Sequence, residues 1–108
     1  MELTPQQIRI LEGLHAREFE IVAFPMYAEY VGVRKGNCAA LLAPIDSGGF
    51  RLFGDPTYLV GGNLGARVAH PDGHWFVRKQ ERVEATPERM AELEQFSADL
   101  SDALIPVA

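Results

Sequence analysis

Apolar residues recur along the first part of this chain at the spacing of one face of a helix. The stripe runs from Ile8 to Leu14, with apolar side chains three and four residues apart. Thr4 suits the N-cap position, Pro5 the first helical position, and Gln7 completes a capping box with Thr4. We therefore predict a helix that faces the core with this stripe and ends near Arg17.

A second helical period covers the last quarter of the chain. Thr86-Pro87 repeats the helix start, and Glu88 follows where an acidic side chain favours the positive end of the helix dipole. The apolar positions then recur every three or four residues: Met90, Leu93, Phe96, Leu100 and Leu104. Pro106 marks the predicted end of this helix.

Between the two helical patterns the chain is rich in β-branched and aromatic residues and is interrupted by glycine, proline and aspartate. This pattern predicts strands separated by turns, at 19–24, 27–34, 38–45, 50–53 and 57–60. Residues 38–45 are almost continuously apolar, which favours a central strand covered on both faces, although a buried helix fits the same pattern.

A further hairpin is predicted within 64–83. Pro71-Asp72-Gly73 fits a three-residue loop, which would place His70 opposite His74 and Val68 opposite Phe76. A two-residue turn on Asp72-Gly73 would shift the pairing by one and send the two histidines to opposite faces. We favour the longer loop, because proline lacks the N–H that closes a tighter turn.

The order of the elements is helix, five or six strands, helix. Short connections favour a largely antiparallel sheet, so we predict an α+β fold in which both helices pack on one face of the sheet. Residues 1–108 are expected to form a single domain.

Composition narrows the classes of partner. The chain is 47% hydrophobic and 23% charged, with a formal net charge of −5, so nucleic acid and anionic membranes are unfavoured partners. The acidic, polar start carries no secretory signal, and no apolar run is long enough to span a bilayer. With Cys38 as its single cysteine, the chain forms no internal disulfide, and we expect a cytoplasmic protein.

Two histidines and an aspartate give the first candidate site. In the favoured register His70 and His74 would lie about 5 Å apart at Cβ, close enough to share a metal with Asp72. Zinc normally needs three or four ligands, so a third would have to come from elsewhere in the fold, for example from Asp46 or Asp55. We therefore favour exposed histidines at the tip of a hairpin and expect no cofactor.

Cys38 gives the second candidate, as a nucleophile paired with a histidine. Such a cysteine needs a lowered pKa, whereas Cys38 begins an apolar strand, where a buried and unreactive thiol is favoured.

Basic residues on and beside the hairpin predicted within 64–83 give the third candidate site. They could present a cationic, aromatic surface to single-stranded nucleic acid, although a solvated strand face is favoured. These residues are Arg67, Arg78, Lys79 and Arg82.

The predicted sheet is rich in aromatic residues, and two helices are few to cover all of them. One interpretation is a core in which every aromatic is buried in the monomer, and the other is an uncovered face. An uncovered face would serve as a ligand cleft or a self-association surface. The chain is therefore predicted to be a non-enzymatic interaction or small-molecule-binding module that forms a homodimer. The alternatives are a small metal-dependent or Cys/His enzyme and, third, a weak nucleic-acid binder. The predicted ligand-binding residues are Tyr30, Tyr58, Trp75, Phe76, Arg67 and Arg78.

Overall fold

The computed structural model describes residues 3–24, 27–46, 48–71 and 73–104. Its helices are α1 (Pro5–Ala16) and α2 (Pro87–Leu104). Its strands are β1 (Glu20–Val22), β2 (Val31–Lys35), β3 (Cys38–Pro44), β4 (Phe50–Val60), β5 (Asn63–Leu64), β6 (Ala66–His70), β7 (Gly73–Arg78) and β8 (Glu81–Glu84).

All strand pairs are antiparallel and join neighbours in sequence. A five-stranded sheet has the order β1-β2-β3-β4-β5, and a three-stranded sheet has the order β6-β7-β8. The α+β fold with helices at both ends of the chain is confirmed. The described residues contain eight strands rather than five or six, because β5 and β8 are short pieces without their own sequence pattern.

Strand β4 is continuous where the sequence predicts a break. Ala39 pairs with Thr57 and Leu41 with Phe53, so residues 54–56 of β4 lie opposite the one intervening residue of β3. Gly54 adopts a φ of 72°, which glycine reaches without a steric penalty. The Gly-Asp-Pro segment is therefore a bulge that bends β4 without ending it.

Strand β3 is buried on both faces, as predicted, and separates two apolar clusters. On one face Cys38, Ala40 and Leu42 pack with residues of both helices, including Leu14 and Phe96. On the other face Ala39 and Leu41 pack with Phe24, and Val22, Tyr27, Tyr30, Leu59 and Leu64 lie at the margin. The segment after β1 thus covers part of the face that the helices leave open.

Helix α1 begins with the predicted capping box. The Gln7 N–H donates to Thr4 Oγ1 at 3.1 Å, and the Thr4 N–H donates to Gln7 Oε1 at 2.9 Å. Gln7 is 2% exposed, and its Nε2 also donates to the carbonyl oxygens of Ile45 and Gly49 at 3.3 and 3.0 Å. One side chain therefore both caps the helix and fixes it to the β3–β4 loop. The predicted core position of Ile8 is wrong, because its side chain is 45% exposed.

The register of the β6–β7 hairpin differs from the prediction. His70 pairs with Gly73, Ala69 with His74 and Val68 with Trp75, so His70 is not opposite His74 and Val68 is not opposite Phe76. The alternative turn on Asp72-Gly73 is also wrong. It would place His70 opposite Trp75, one residue after His74, whereas the observed partner, Gly73, is one residue before His74. In the observed register Pro71 is the first residue of a two-residue connection, a position that favours proline and needs no N–H donor. The missing N–H of proline therefore does not exclude a two-residue connection. Asp72 itself lies outside the described residues.

Candidate ligand-binding cleft

A cleft of about 410 Å³ opens where the five-stranded sheet meets the three-stranded sheet. We call it the junction cleft. Its described lining comes from three parts of the chain: the segment between β1 and β2, the stretch where β5 passes into β6, and the end of β7 with the residue after it. These residues are Phe24, Tyr27, Asn63, Leu64, Gly65, Ala66, Val77, Arg78 and Lys79.

The aromatic wall of the junction cleft is set by a glycine in β2. A Cβ placed at Gly32 would lie 2.6 Å from Phe24 Cδ2 and 2.5 Å from the Val22 carbonyl oxygen. Phe24 therefore packs directly on the backbone of β2 and is only 8% exposed. The Tyr27 N–H donates to the Phe24 carbonyl at 2.8 Å, and this hydrogen bond keeps the two residues close together.

The opposite wall is fixed by hydrogen bonds around Gly65. The Gly65 N–H donates to the Tyr58 carbonyl at 3.2 Å, and Thr57 Oγ1 donates to the Gly65 carbonyl at 2.8 Å. A Cβ at Gly65 would lie 2.8 Å from Val60 Cγ2. The chain therefore turns closely against β4, which places Leu64 and Ala66 at the cleft.

Charge in the junction cleft is of one sign. Arg78 ends β7 and Lys79 begins the turn to β8, while the described lining contains no aspartate or glutamate. Lys79 has a φ of 55°, a left-handed conformation that is uncommon for residues other than glycine. The cleft thus combines apolar walls with two cations.

The six residues predicted to bind a ligand do not converge on one site. Arg78 lines the junction cleft, whereas Tyr30 stacks on Phe53 with ring centroids 4.1 Å apart. Tyr58 and Phe76 stack at 5.3 Å inside the core, where they are 6% and 0% exposed. Phe76, with Arg67, also lines a second cleft.

Trp75 and Arg67 lie in two further places. The Arg82 guanidinium lies 4.5 Å from the Trp75 ring centroid, and Trp75 Nε1 is buried without a hydrogen-bond partner among the described residues. Arg67 lies opposite Phe76 and lines a second cleft of about 530 Å³, together with Asp55 and other residues. The four basic residues are therefore divided among three surroundings.

The predicted metal site depended on His70 pairing with His74 across the hairpin, and the observed register does not pair them. His74 is exposed and lies opposite Ala69. Within the described ranges no three histidine, cysteine, aspartate or glutamate residues are grouped as a metal site would require. The side chain of His70 and all of Asp72 fall outside those ranges, so the metal site stays a prediction.

Cys38 is buried, as predicted. It is 0% exposed, and its pKa is raised from 9.0 to about 12, first by desolvation and second by the negative charge of Glu92. Glu92 Oε2 accepts a hydrogen bond from the Tyr58 hydroxyl at 3.1 Å, and that hydroxyl accepts one from Asn37 Nδ2 at 3.3 Å. A nucleophilic cysteine needs a lowered pKa, and this environment does the opposite.

Sequence reasoning misses most of the junction cleft. The sequence pattern predicts Phe24, Tyr27 and Leu64 as ordinary strand residues, and they meet only because two sheets come together. Lys79 is predicted only as part of a basic strip, and its position beside a cleft has no local signal.

Comparisons of the chain with known protein families, curated proteins and solved structures find no significant match. In the described part of the chain, neither helix has the length and apolar character needed to cross a membrane.

Proposed function

We propose that this chain is a non-enzymatic binding module whose ligand site is the junction cleft. The observation that carries the proposal is the composition of its lining: five apolar or aromatic side chains, two cations and one amide around a cleft of about 410 Å³. Binding sites for small molecules are typically concave, about 300–1,000 Å³ in volume, mostly apolar, and supplied with a few polar groups.

The other chemically interesting groups support a binding role less well. Cys38 is sealed in the core with a raised pKa, and Tyr58 is engaged in the hydrogen bonds to Asn37 and Glu92. The second cleft, at Arg67, carries the carboxylates of Asp55 and Glu94 beside its one guanidinium, so the charges at that site oppose one another. The described lining of the junction cleft combines apolar surface with two cations and contains no carboxylate.

Self-association is the second part of the proposal. The Tyr30–Phe53 stack lies on the face of the five-stranded sheet opposite the helices, and Phe53 is 42% exposed. Ile21, on edge strand β1, is 44% exposed. Exposed apolar groups and an unpaired sheet edge favour symmetric pairing of two copies. Light scattering after size exclusion tests this part, and a mass of 11.9 kDa at all concentrations would contradict it.

The ligand site is tested by screening small organic molecules against the ¹⁵N-labelled protein by NMR. We expect compounds that bind to shift the backbone amides of residues 63–66 and 77–79 together. Ala66→Phe should abolish these shifts, because Ala66 is exposed and lines the cleft.

Ala69→Phe provides the matched control. Ala69 is also an alanine of β6, but it is not part of the cleft lining. Binding that survives Ala66→Phe, or that shifts amides elsewhere in the protein, would contradict the assignment.

A further inference from the structure

We propose that the junction cleft selects small organic carboxylates, with Arg78 and Lys79 holding the carboxylate and the apolar walls holding the rest of the molecule. This inference rests on the proposed function and specifies its ligand class. A planar carboxylate matches the planar donors of a guanidinium and also accepts hydrogen bonds from an ammonium. Charge-assisted hydrogen bonds of this kind are stronger than neutral ones.

The charge of the cleft is opposite to that of the whole chain. The protein carries 15 acidic and 10 basic side chains, yet both ionised residues in the described lining are cations. A general acidic surface repels anions, whereas a local pair of cations beside low-dielectric walls attracts them. The site therefore favours anions over neutral or cationic molecules of the same shape.

Lys79 has a left-handed backbone conformation that follows from its place in a tight turn. The described residues include two non-glycine positions with positive φ, Glu18 at 71° and Lys79 at 55°. Glu18 follows the C-cap of α1, where a left-handed residue is normal: its N–H donates to the His15 carbonyl and the Phe19 N–H donates to the Leu14 carbonyl, both at 3.0 Å.

Lys79 belongs to the two-residue connection between Arg78 and Glu81, where glycine would be free of the steric penalty. Positive φ is normal at the first position of such a connection, so the turn accounts for the backbone of Lys79. Lys79→Gly therefore removes the cation and keeps the turn.

The apolar walls determine what accompanies the carboxylate. Phe24, Tyr27, Leu64 and Val77 supply two aromatic rings and two branched aliphatic groups. A ligand with an aromatic or aliphatic body would bury that body here, whereas a bare inorganic or acetate-sized anion would leave the walls wet.

Three probes test the inference by isothermal titration and NMR. 3-Phenylpropionate has both the apolar body and the carboxylate, 3-phenylpropan-1-ol has the body without the charge, and acetate has the carboxylate without the body. We expect 3-phenylpropionate to bind at least tenfold more tightly than either of the others and to shift the amides of residues 63–66 and 77–79. Its affinity should fall with added salt, because the interaction is between charges.

Variants assign the selectivity to the two cations. Arg78→Gln should weaken 3-phenylpropionate at least tenfold, and Lys79→Gly at least threefold. The Lys79→Gly protein should be no less thermally stable than the parent, because glycine relieves the strained φ. Glu18→Gly is the control: it relieves the same kind of strain away from the cleft and should leave affinity unchanged.

The outcomes separate the two proposals. Equal binding of the acid and the alcohol in the cleft would overturn the carboxylate inference and leave the binding module standing. Failure of 3-phenylpropionate to bind would also overturn the inference, while the module would then be judged on the wider NMR screen. Unchanged affinity in both Arg78→Gln and Lys79→Gly would overturn the assignment of these cations.

Discussion

Gly32→Ala should destabilise the protein, although it adds one methyl group to a strand. The new Cβ would lie 2.5 Å from the Val22 carbonyl oxygen and 2.6 Å from Phe24 Cδ2, well inside van der Waals contact. Val22 is the β1 partner of Gly32 in the sheet, so the carbonyl cannot retreat without weakening that pair. The Phe24 ring must move instead.

The magnitude follows from the two ways in which the structure can respond. Forcing an extra carbon into a packed site costs about 1–3 kcal/mol. Expelling Phe24, which is 8% exposed, would forfeit its burial, worth about 1.5–3 kcal/mol. The cheaper response prevails, so we expect a loss of about 1–3 kcal/mol and a fall in Tm of about 4–12 °C.

The measurement is urea denaturation and thermal melting of Gly32→Ala beside Gly13→Ala. Gly13 lies in α1, where a Cβ would meet nothing within 4 Å, and alanine there should stabilise the helix by about 0.5–1 kcal/mol. The same chemical change is thus expected to have opposite signs at the two sites.

Gly32→Ala also links the fold to the site, because Phe24 is a wall of the junction cleft. A variant that remains folded should bind cleft ligands more weakly. Parental stability in Gly32→Ala would refute the packing of Phe24 on β2, and destabilisation by Gly13→Ala would refute the open surroundings of that glycine.

Three further substitutions test other parts of the structure. Glu18→Gly should raise the free energy of unfolding by about 0.5–1 kcal/mol, because glycine carries no steric penalty at its φ of 71°; a loss of stability in urea titrations would show that the side chain matters more than the backbone. The Cys38 thiol has a pKa of about 12 in the folded protein against 9.0 ordinarily, so above pH 9 the unfolded state loses this proton first and stability falls as pH rises towards 12. Cys38→Ala should lack that component of the decline, and identical pH profiles of the two proteins would contradict the raised pKa. Tyr58→Phe keeps the stacked ring and removes the hydroxyl that contacts Asn37 and Glu92, so we expect a loss of about 1 kcal/mol in urea, since both partners regain water. No measurable loss would mean that these hydrogen bonds add nothing to stability.

The parts of the fold that depend on local chemistry could be predicted from the sequence. The capping box of Thr4 and Gln7 is formed, and strand β3 is buried on both faces. The register of the β6–β7 hairpin could not be predicted, because its loop residues are compatible with more than one turn and the flanking side chains do not fix one pairing. The bulge at 54–56 is mistaken for a break for a similar reason: glycine and proline signal an interruption of the ladder but not whether the strand resumes.

The candidate site is less predictable than the fold. Phe24, Leu64 and Arg78 come from distant parts of the chain, and no periodicity relates them. Sequence reasoning favours conspicuous aromatics such as Tyr58 and Phe76, which the structure uses in its core. Which aromatics remain available to a ligand depends on how two sheets meet, and that is a property of tertiary packing.

The three-stranded sheet is assembled from hairpins within residues 66–84, and Phe76 ties it to the core through its stack on Tyr58. Such a unit, built from neighbours in sequence, can open briefly while the larger sheet stays intact. Its amide protons should therefore exchange with solvent sooner than those of β3. A ligand bound in the junction cleft would contact both sheets. Its binding should therefore slow amide exchange along β6 to β8, including at residues that the ligand does not touch.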